Sequence, residues 1–263
     1  MGETGFADLA VDVGDDFVAT VEIRRPPNNF FDVALVGALA DAYEALARDG
    51  ECRAIVLCSA GKHFSAGADF TGRSGRPRPA GAREGAAELY AQAARLFQAR
   101  LPVVAAVQGA AVGGGLGLAC SADFRVASPA ARFWANFARL GLHHGFGLSV
   151  TLPAIVGQQH ATVMLYTGRR VGGDEAARLG LADLLADPAE LRAAAHGLAA
   201  EIAAAAPLAV RSIRSTLRAG LAERVREAMA AELAEQDQLR RTADFAEGVR
   251  ASAERRQPRF EGR

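Results

Sequence analysis

Two glycine-rich segments, AIVLCSAGKHFSAGADF (54–70) and VVAAVQGAAVGGGLGLACSAD (103–123), share one arrangement. In each, a continuous apolar run leads into glycines and then into a stretch of helical composition. Such runs are expected of strands buried on both faces. Glycine at the following turn admits positive φ and lets another group approach the backbone closely. The first amides of a helix have no internal acceptor, and the helix dipole adds partial positive charge beside them. Donors from two such turns can hold a carbonyl oxygen as it becomes an oxyanion. Each donor is commonly worth ~3–4 kcal/mol of transition-state stabilisation. The same pattern also serves simple close packing in α/β proteins, and nucleotide binding is a rival reading. GGGLG lacks a following Lys-Ser/Thr, so it is no P-loop, and GxGxxG is not met cleanly.

Secondary elements must position these turns. FADLAVDV (6–13) and FVATVEIRR (17–25) read as two short strands around the acidic turn Gly14-Asp15-Asp16. From Phe31 to Ala47, Leu35, Leu39, Tyr43 and Leu46 recur at helical spacing. The runs at 54–59 and 103–107 predict buried strands, and FRVAS (124–128) predicts another. TGRSGRPRPAGAREG (71–85) has the composition of a surface loop, and a helix is expected over about 86–99. Strands separated by helices and glycine turns argue for α/β with crossover connections. Beyond residue 186 the composition turns to Ala, Leu, Glu and Arg, with Met229, Leu233 and Leu239 as an apolar stripe. The chain is therefore read as an α/β core over 1–186 and a helical C-terminal region over 187–263.

The 263 residues suit one large domain, and half of them are hydrophobic. Thirty basic residues balance thirty acidic ones, and Lys62 is the sole lysine. That balance argues against a nucleic-acid binder. Cys52, Cys58 and Cys120 lie in apolar runs without a CxxC pair, so neither a metal site nor a disulfide framework is expected. The odd count fits a reducing compartment. The acidic N-terminus lacks the apolar stretch of a signal peptide, and no run approaches the ~20 residues that span a bilayer. A cytoplasmic protein without membrane contact is expected.

Taken together, RAIVLCSAGKHFSAGADF (53–70) and AAVQGAAVGGGLGLACSADFRVAS (105–128) resemble the two signature motifs of the enoyl-CoA hydratase/isomerase (crotonase) superfamily. RRPPNNFFD (24–32) resembles its opening loop, and TADFAEGVRASAERRQPRF (242–260) its closing helix. The four matches fall in order over most of the chain. The resemblance implies a spiral of stacked ββα units, a helical C-terminal part used for trimerisation, and a homotrimer or dimer of trimers. It also implies an acyl-CoA thioester as ligand, with coenzyme A part of the substrate and no separate cofactor or metal. Carried over by position, the oxyanion donors are the backbone amides of Ala68 and Gly114. Ala66, Asp69 and Phe70 then border the CoA and acyl channel, and Phe260 covers the adenine from a neighbouring subunit. Lys62 and His63, ahead of the same loop, read either as contacts to CoA phosphates or as solvated surface.

The chain departs from the family where proton transfer is expected. A hydratase of this family uses two glutamates, and a carboxylic acid paired with a carboxylate suits that work. The first position holds Gly117, and the second aligns with Phe137. Neither can move a proton. The same segment, ARFWANFARLGLHHGFG (131–147), carries His143 and His144 where the family shows a proline beside a glycine. An imidazole is the most useful acid/base available there, and His144 is favoured over His143. Asn136 is a candidate partner for substrate, while Phe133, Trp134 and Phe137 read as acyl-pocket lining or as core. An enzyme stabilising a thioester enolate is expected. A histidine-dependent decarboxylase or hydrolase, or a non-catalytic acyl-CoA binder, is the alternative.

Overall fold

The computed structural model describes residues 6, 8–69 and 82–263. The first half runs β1 (Leu9–Val13), β2 (Val18–Ile23), α1 (Val33–Asp49), β3 (Ala54–Ser59), α2 (Ala82–Phe97), β4 (Val103–Val107), β5 (Ala110–Val112), α3 (Gly114–Ser121), β6 (Phe124–Ala127) and β7 (Arg132–Trp134). A 3-10 turn, Asn136–Leu140, follows. The second half runs α4 (Leu148–Val156), α5 (Gln158–Thr167), β8 (Arg170–Gly172), α6 (Gly173–Arg178), β9 (Leu184–Leu185), α7 (Leu191–Ala204), α8 (Pro207–Leu217), α9 (Leu221–Leu239) and α10 (Ala243–Glu254).

Six strands form one sheet in the order β1-β2-β3-β4-β6-β9, and β5-β7-β8 form a second. The large sheet is parallel except at the β1–β2 hairpin. Parallel strands must be covered on both faces, and β3 shows how. Ile55 and Leu57 point into the main core with α1, whereas Ala54, Val56 and Cys58 face the alanines of α7. Ala195, Ala199 and Ala203 recur every four residues on α7, so small side chains bring that helix close to the sheet. The stretch just beyond residue 186 is thus a layer of the core.

The apolar spacing of 31–47 is met by α1, where Leu35, Leu39, Tyr43 and Leu46 are all buried. Its start is capped by Asp32, whose carboxylate accepts from Leu35 N–H at 2.9 Å. The loop expected over 71–85 lies outside the described residues up to 81, and 82–85 already belong to α2. The helix starts earlier than its apolar pattern because helix ends are solvated and carry little periodicity.

Helix α8 has no buried residue. It is held to the core by Arg214 and Arg218, each paired with Asp123 at 3.0 Å. Leu208, Ile213 and Leu217 consequently stand exposed along it. Among the described residues, no single helix is long and apolar enough to cross a membrane.

Candidate active site

The two glycine turns are knitted together by their own backbones. Ser65 N–H donates to Ala110 O at 3.0 Å, and Val112 N–H returns to Ser65 O at 2.9 Å. On the other side, Phe31 N–H donates to Gly67 O at 3.1 Å and Ala66 N–H to Asn28 O at 2.9 Å. Two polar side chains lock this contact. Asn29, fully buried, donates to Ala60 O at 2.8 Å and His63 O at 2.6 Å. Ser65 Oγ donates to Asn29 O at 2.9 Å and accepts Gly67 N–H at 3.2 Å. Gly67 sits at φ +76°, and a Cβ there would lie 2.6 Å from Val112 O and 3.2 Å from Gly114 N. Only glycine allows that turn and that approach together. Asn29 and Ser65 were not singled out from sequence; their signal is a polar residue in a loop whose partners lie on another turn.

Most amides of the two turns are spent in this way. Gly113 N–H donates to Trp134 O at 2.8 Å, and Leu116 and Gly117 N–H both reach Gly113 O. The Ala68 and Gly114 amides have no hydrogen-bond acceptor among the described residues, nor does that of Gly115 beside them. Ala66, Ala68 and Asp69 are half-buried around this opening. Phe70 lies outside the described residues.

Aromatic rings close the floor. Phe31 and Phe146 pack with centroids 5.4 Å apart. A Cβ on Gly114 would meet the tip of Phe31 at 2.4 Å, and one on Gly117 would lie 2.6 Å from the Cβ of Phe146. The space a side chain at 117 would enter is therefore occupied by Phe146. Asn136 and Phe137 both approach Gly113: an added Cβ there would lie 3.2 Å from Asn136 Oδ1 and 3.6 Å from Phe137 Cζ. Trp134 is turned to the second sheet, its indole donating to Gly168 O at 2.6 Å and its ring lying under Arg170. Phe133 is wholly in the core.

His143 and His144 stack with ring centroids 4.1 Å apart. Both are half-buried, three and two residues ahead of Phe146 respectively. Burial, and then the neighbouring His143 charge, bring His144 down from the ordinary 6.5 to about 4. It is a neutral imidazole at neutral pH, able to accept a proton. Its Nε2 lies 2.8 Å from Ser149 Oγ, which donates to the buried carboxylate of Glu232 at 2.7 Å. Sequence reading missed Phe146, Ser149 and Glu232.

Other candidates are engaged elsewhere. His63 Nδ1 accepts Ala110 N–H at 3.3 Å, and Lys62 is exposed. Burial pushes the Cys58 and Cys120 thiols up to about 11, which removes them as nucleophiles. The C-terminal tail folds back on α10 of its own chain, with Glu261 and Gly262 amides donating to Asp244. Phe260, in that tail, is 43% exposed. A cavity of about 650 Å³ beside it is lined by Asp244, Glu247, Arg250, Arg256 and Arg259, and lies apart from the glycine turns.

A model of the enoyl-CoA hydratase/isomerase family matches residues 14–263. The chain belongs to that family. A probable enoyl-CoA hydratase of Mycobacterium bovis is 36% identical over 255 residues, covering 92% of this chain and 89% of its own. An enoyl-CoA hydratase/isomerase structure from Pseudoalteromonas atlantica superimposes with a TM-score of 0.84 at 29% identity, covering 97% of this chain and all of that one. A cucumber glyoxysomal fatty acid beta-oxidation multifunctional protein is 34% identical over 207 residues. Those residues are 77% of this chain but only 28% of the cucumber protein's length. The sheet flanked by helices is the crotonase-like α/β fold of the family.

Proposed function

We propose that this chain processes acyl-CoA thioesters by holding the thioester oxygen between the Ala68 and Gly114 amides while negative charge builds on it. The observation that carries this reading is the pair of N–H groups that have no acceptor among the described residues, on turns whose neighbouring amides are hydrogen-bonded. Donors fixed in advance cost no reorganisation when the oxyanion forms, and the apolar floor of Phe31 and Phe146 strengthens them by excluding water. The ligand is a CoA ester, coenzyme A being part of the substrate, and no further cofactor or metal is invoked. Ala66 and Asp69 border its channel, with Asn136 and Phe137 on the acyl side.

The proton work falls to His144, with His143 as its neighbour, because Gly117 and Phe137 stand where the family's glutamates are aligned. An enolate can arise when His144 takes a proton from the α-carbon, or when a carboxylate on the α-carbon leaves as CO₂ and its bonding pair stays behind. A histidine-activated water attacking the thioester is the hydrolytic variant. Incubating the protein with an enoyl-CoA, an α-carboxyacyl-CoA of malonyl type and a saturated acyl-CoA separates these outcomes by product. Turnover that His144→Ala leaves intact would refute the histidine role and keep the oxyanion hole. Tight binding by calorimetry without product from any of the three would make the chain a non-catalytic binder.

The proposal has a pH signature. A base works only when deprotonated, and His144 is deprotonated above about 4. The acid limb of kcat/KM is therefore expected near pH 4–5 rather than near the ordinary histidine value of about 6.5. Between those values the unfolded chain binds a proton that the folded chain does not, so stability falls as pH drops through the same window. Rates normalised to the folded fraction, read by circular dichroism, isolate the catalytic limb.

A homotrimer or dimer of trimers is proposed alongside, supported by the exposed Leu208, Ile213 and Leu217 on α8 and Tyr166 on α5. Sedimentation equilibrium reads that mass directly. In such an assembly Phe260 would meet the adenine of a neighbour's ligand. The free thiols of Cys52, Cys58 and Cys120 fit a reducing, cytoplasmic setting, which cell fractionation tests.

A further inference from the structure

Glu232 on α9 is 1% exposed, and no arginine or lysine pairs with it among the described residues. Its Oε2 accepts Gly147 N–H at 2.9 Å, and its Oε1 accepts Ser149 N–H at 3.0 Å. Those two contacts satisfy orphan amides at the start of α4, whose dipole favours a negative charge there. Capping explains that much of the arrangement. It does not explain the third contact, in which Ser149 Oγ bridges Glu232 Oε1 at 2.7 Å and His144 Nε2 at 2.8 Å.

The direction of that bridge follows from donor arithmetic. A carboxylate can only accept, so the single hydroxyl proton of Ser149 points to Glu232. Ser149 Oγ then has only lone pairs to offer His144, and Nε2 must carry the imidazole proton. The same helix grips the backbone here. Gln236, one turn beyond Glu232, donates Nε2 toward His143 O at 3.1 Å and His144 O at 3.2 Å. His143 has the opposite arrangement, because its Nδ1 lies 2.8 Å from His144 O and must donate to that carbonyl. The charged and titratable groups around the bridge are His143 beside the ring, Glu232 on α9, Arg240 just past its end, and Tyr90 on α2, which Gln236 Nε2 also reaches at 3.0 Å.

We infer that Ser149 and Glu232 are positioning residues that hold His144 as its Nε2–H tautomer, so that Nδ1 is the atom that accepts the proton. This rests on the reading of His144 as the base. It adds which nitrogen acts, and names two residues, 83 positions apart, that decide it. Holding one tautomer matters because a ring protonated on the wrong nitrogen presents a donor where the reaction needs an acceptor.

Long-range ¹H–¹⁵N correlation spectra of the intact protein near pH 7 read both rings directly. The expected result is His144 as Nε2–H and His143 as Nδ1–H. Ser149→Ala is expected to leave the fold and KM in place, let His144 populate both tautomers, and lower kcat roughly 10–100-fold. Ser149→Thr, which keeps the hydroxyl, is expected to restore the single tautomer and most of the rate. His144 found as Nδ1–H in the wild type, or unchanged by Ser149→Ala, would overturn the inference while His144→Ala remained inactive. Full turnover by His144→Ala would instead overturn the reading beneath it, whichever tautomer the spectra gave.

Discussion

Replacing Ala68 by proline is expected to lower kcat on an acyl-CoA thioester by about 10²–10³-fold, the usual effect of removing one oxyanion donor. The Ala68 side chain is a methyl group and offers no chemistry, so its contribution must come from the backbone N–H, which proline lacks. That N–H makes no hydrogen bond among the described residues, so its removal orphans no acceptor there. The contact that seats the turn, Phe31 N–H to Gly67 O at 3.1 Å, uses neither partner of the deleted group. Ala68→Gly is the matched control, since it removes the methyl and keeps the amide. The melting temperature and KM of the proline variant are expected to stay near wild type while kcat collapses. A proline variant turning over within threefold of wild type, with unchanged circular dichroism, would remove the oxyanion hole from the account.

Gly117→Glu carries the second large effect, and it runs against the simple idea of supplying the glutamate that the resemblance implies at that position. A Cβ at 117 falls 2.6 Å from Phe146 Cβ and 2.8 Å from its Cγ and Cδ1. Phe146 is 1% exposed and has little room to yield, being held at φ +61° between Gly145 and Gly147. The new side chain would overpack the floor and bring an unpaired carboxylate into it. We expect a loss of about 3 kcal/mol or more, a drop of roughly 6–12 °C in melting temperature for a chain of this size, with no hydration of crotonyl-CoA. Combining Gly117→Glu with Phe146→Ala and Phe137→Glu opens the space and supplies both carboxylates. The triple variant, unlike the single one, is expected to hydrate crotonyl-CoA, followed as loss of enoyl absorbance. If Gly117→Glu alone melted like the wild type, Phe146 would not be filling that space.

Much of the framework is legible in the amino-acid sequence. The runs AIVLCS and VVAAV are β3 and β4 over their full predicted lengths, because strands covered on both faces tolerate no polar interruption. The four apolar positions read on 31–47 are the buried face of α1. By contrast β5, β7 and β8 are three residues each, too short for any period to register. The stripe read on α9 is incomplete for another reason. Met229 is buried as expected, whereas Leu233 and Leu239 are only half-buried and Glu232 and Gln236 are buried with them. A polar side chain can lie inside when its partners lie inside too, and those partners come from Gly147, Ser149 and the histidine pair.

The sequence by itself determined the local chemistry: apolar runs that must be strands, glycines that must be turns, and no carboxylate at 117 or 137. These follow from side-chain size, hydropathy and backbone freedom, which each residue carries wherever it sits. Only the tertiary structure decided that the two turns face each other, that Phe146 fills the space beside Gly117, and that Glu232 reaches His144 through Ser149. Those are contacts between distant parts of the chain, and their strength depends on distance and burial that no local pattern encodes.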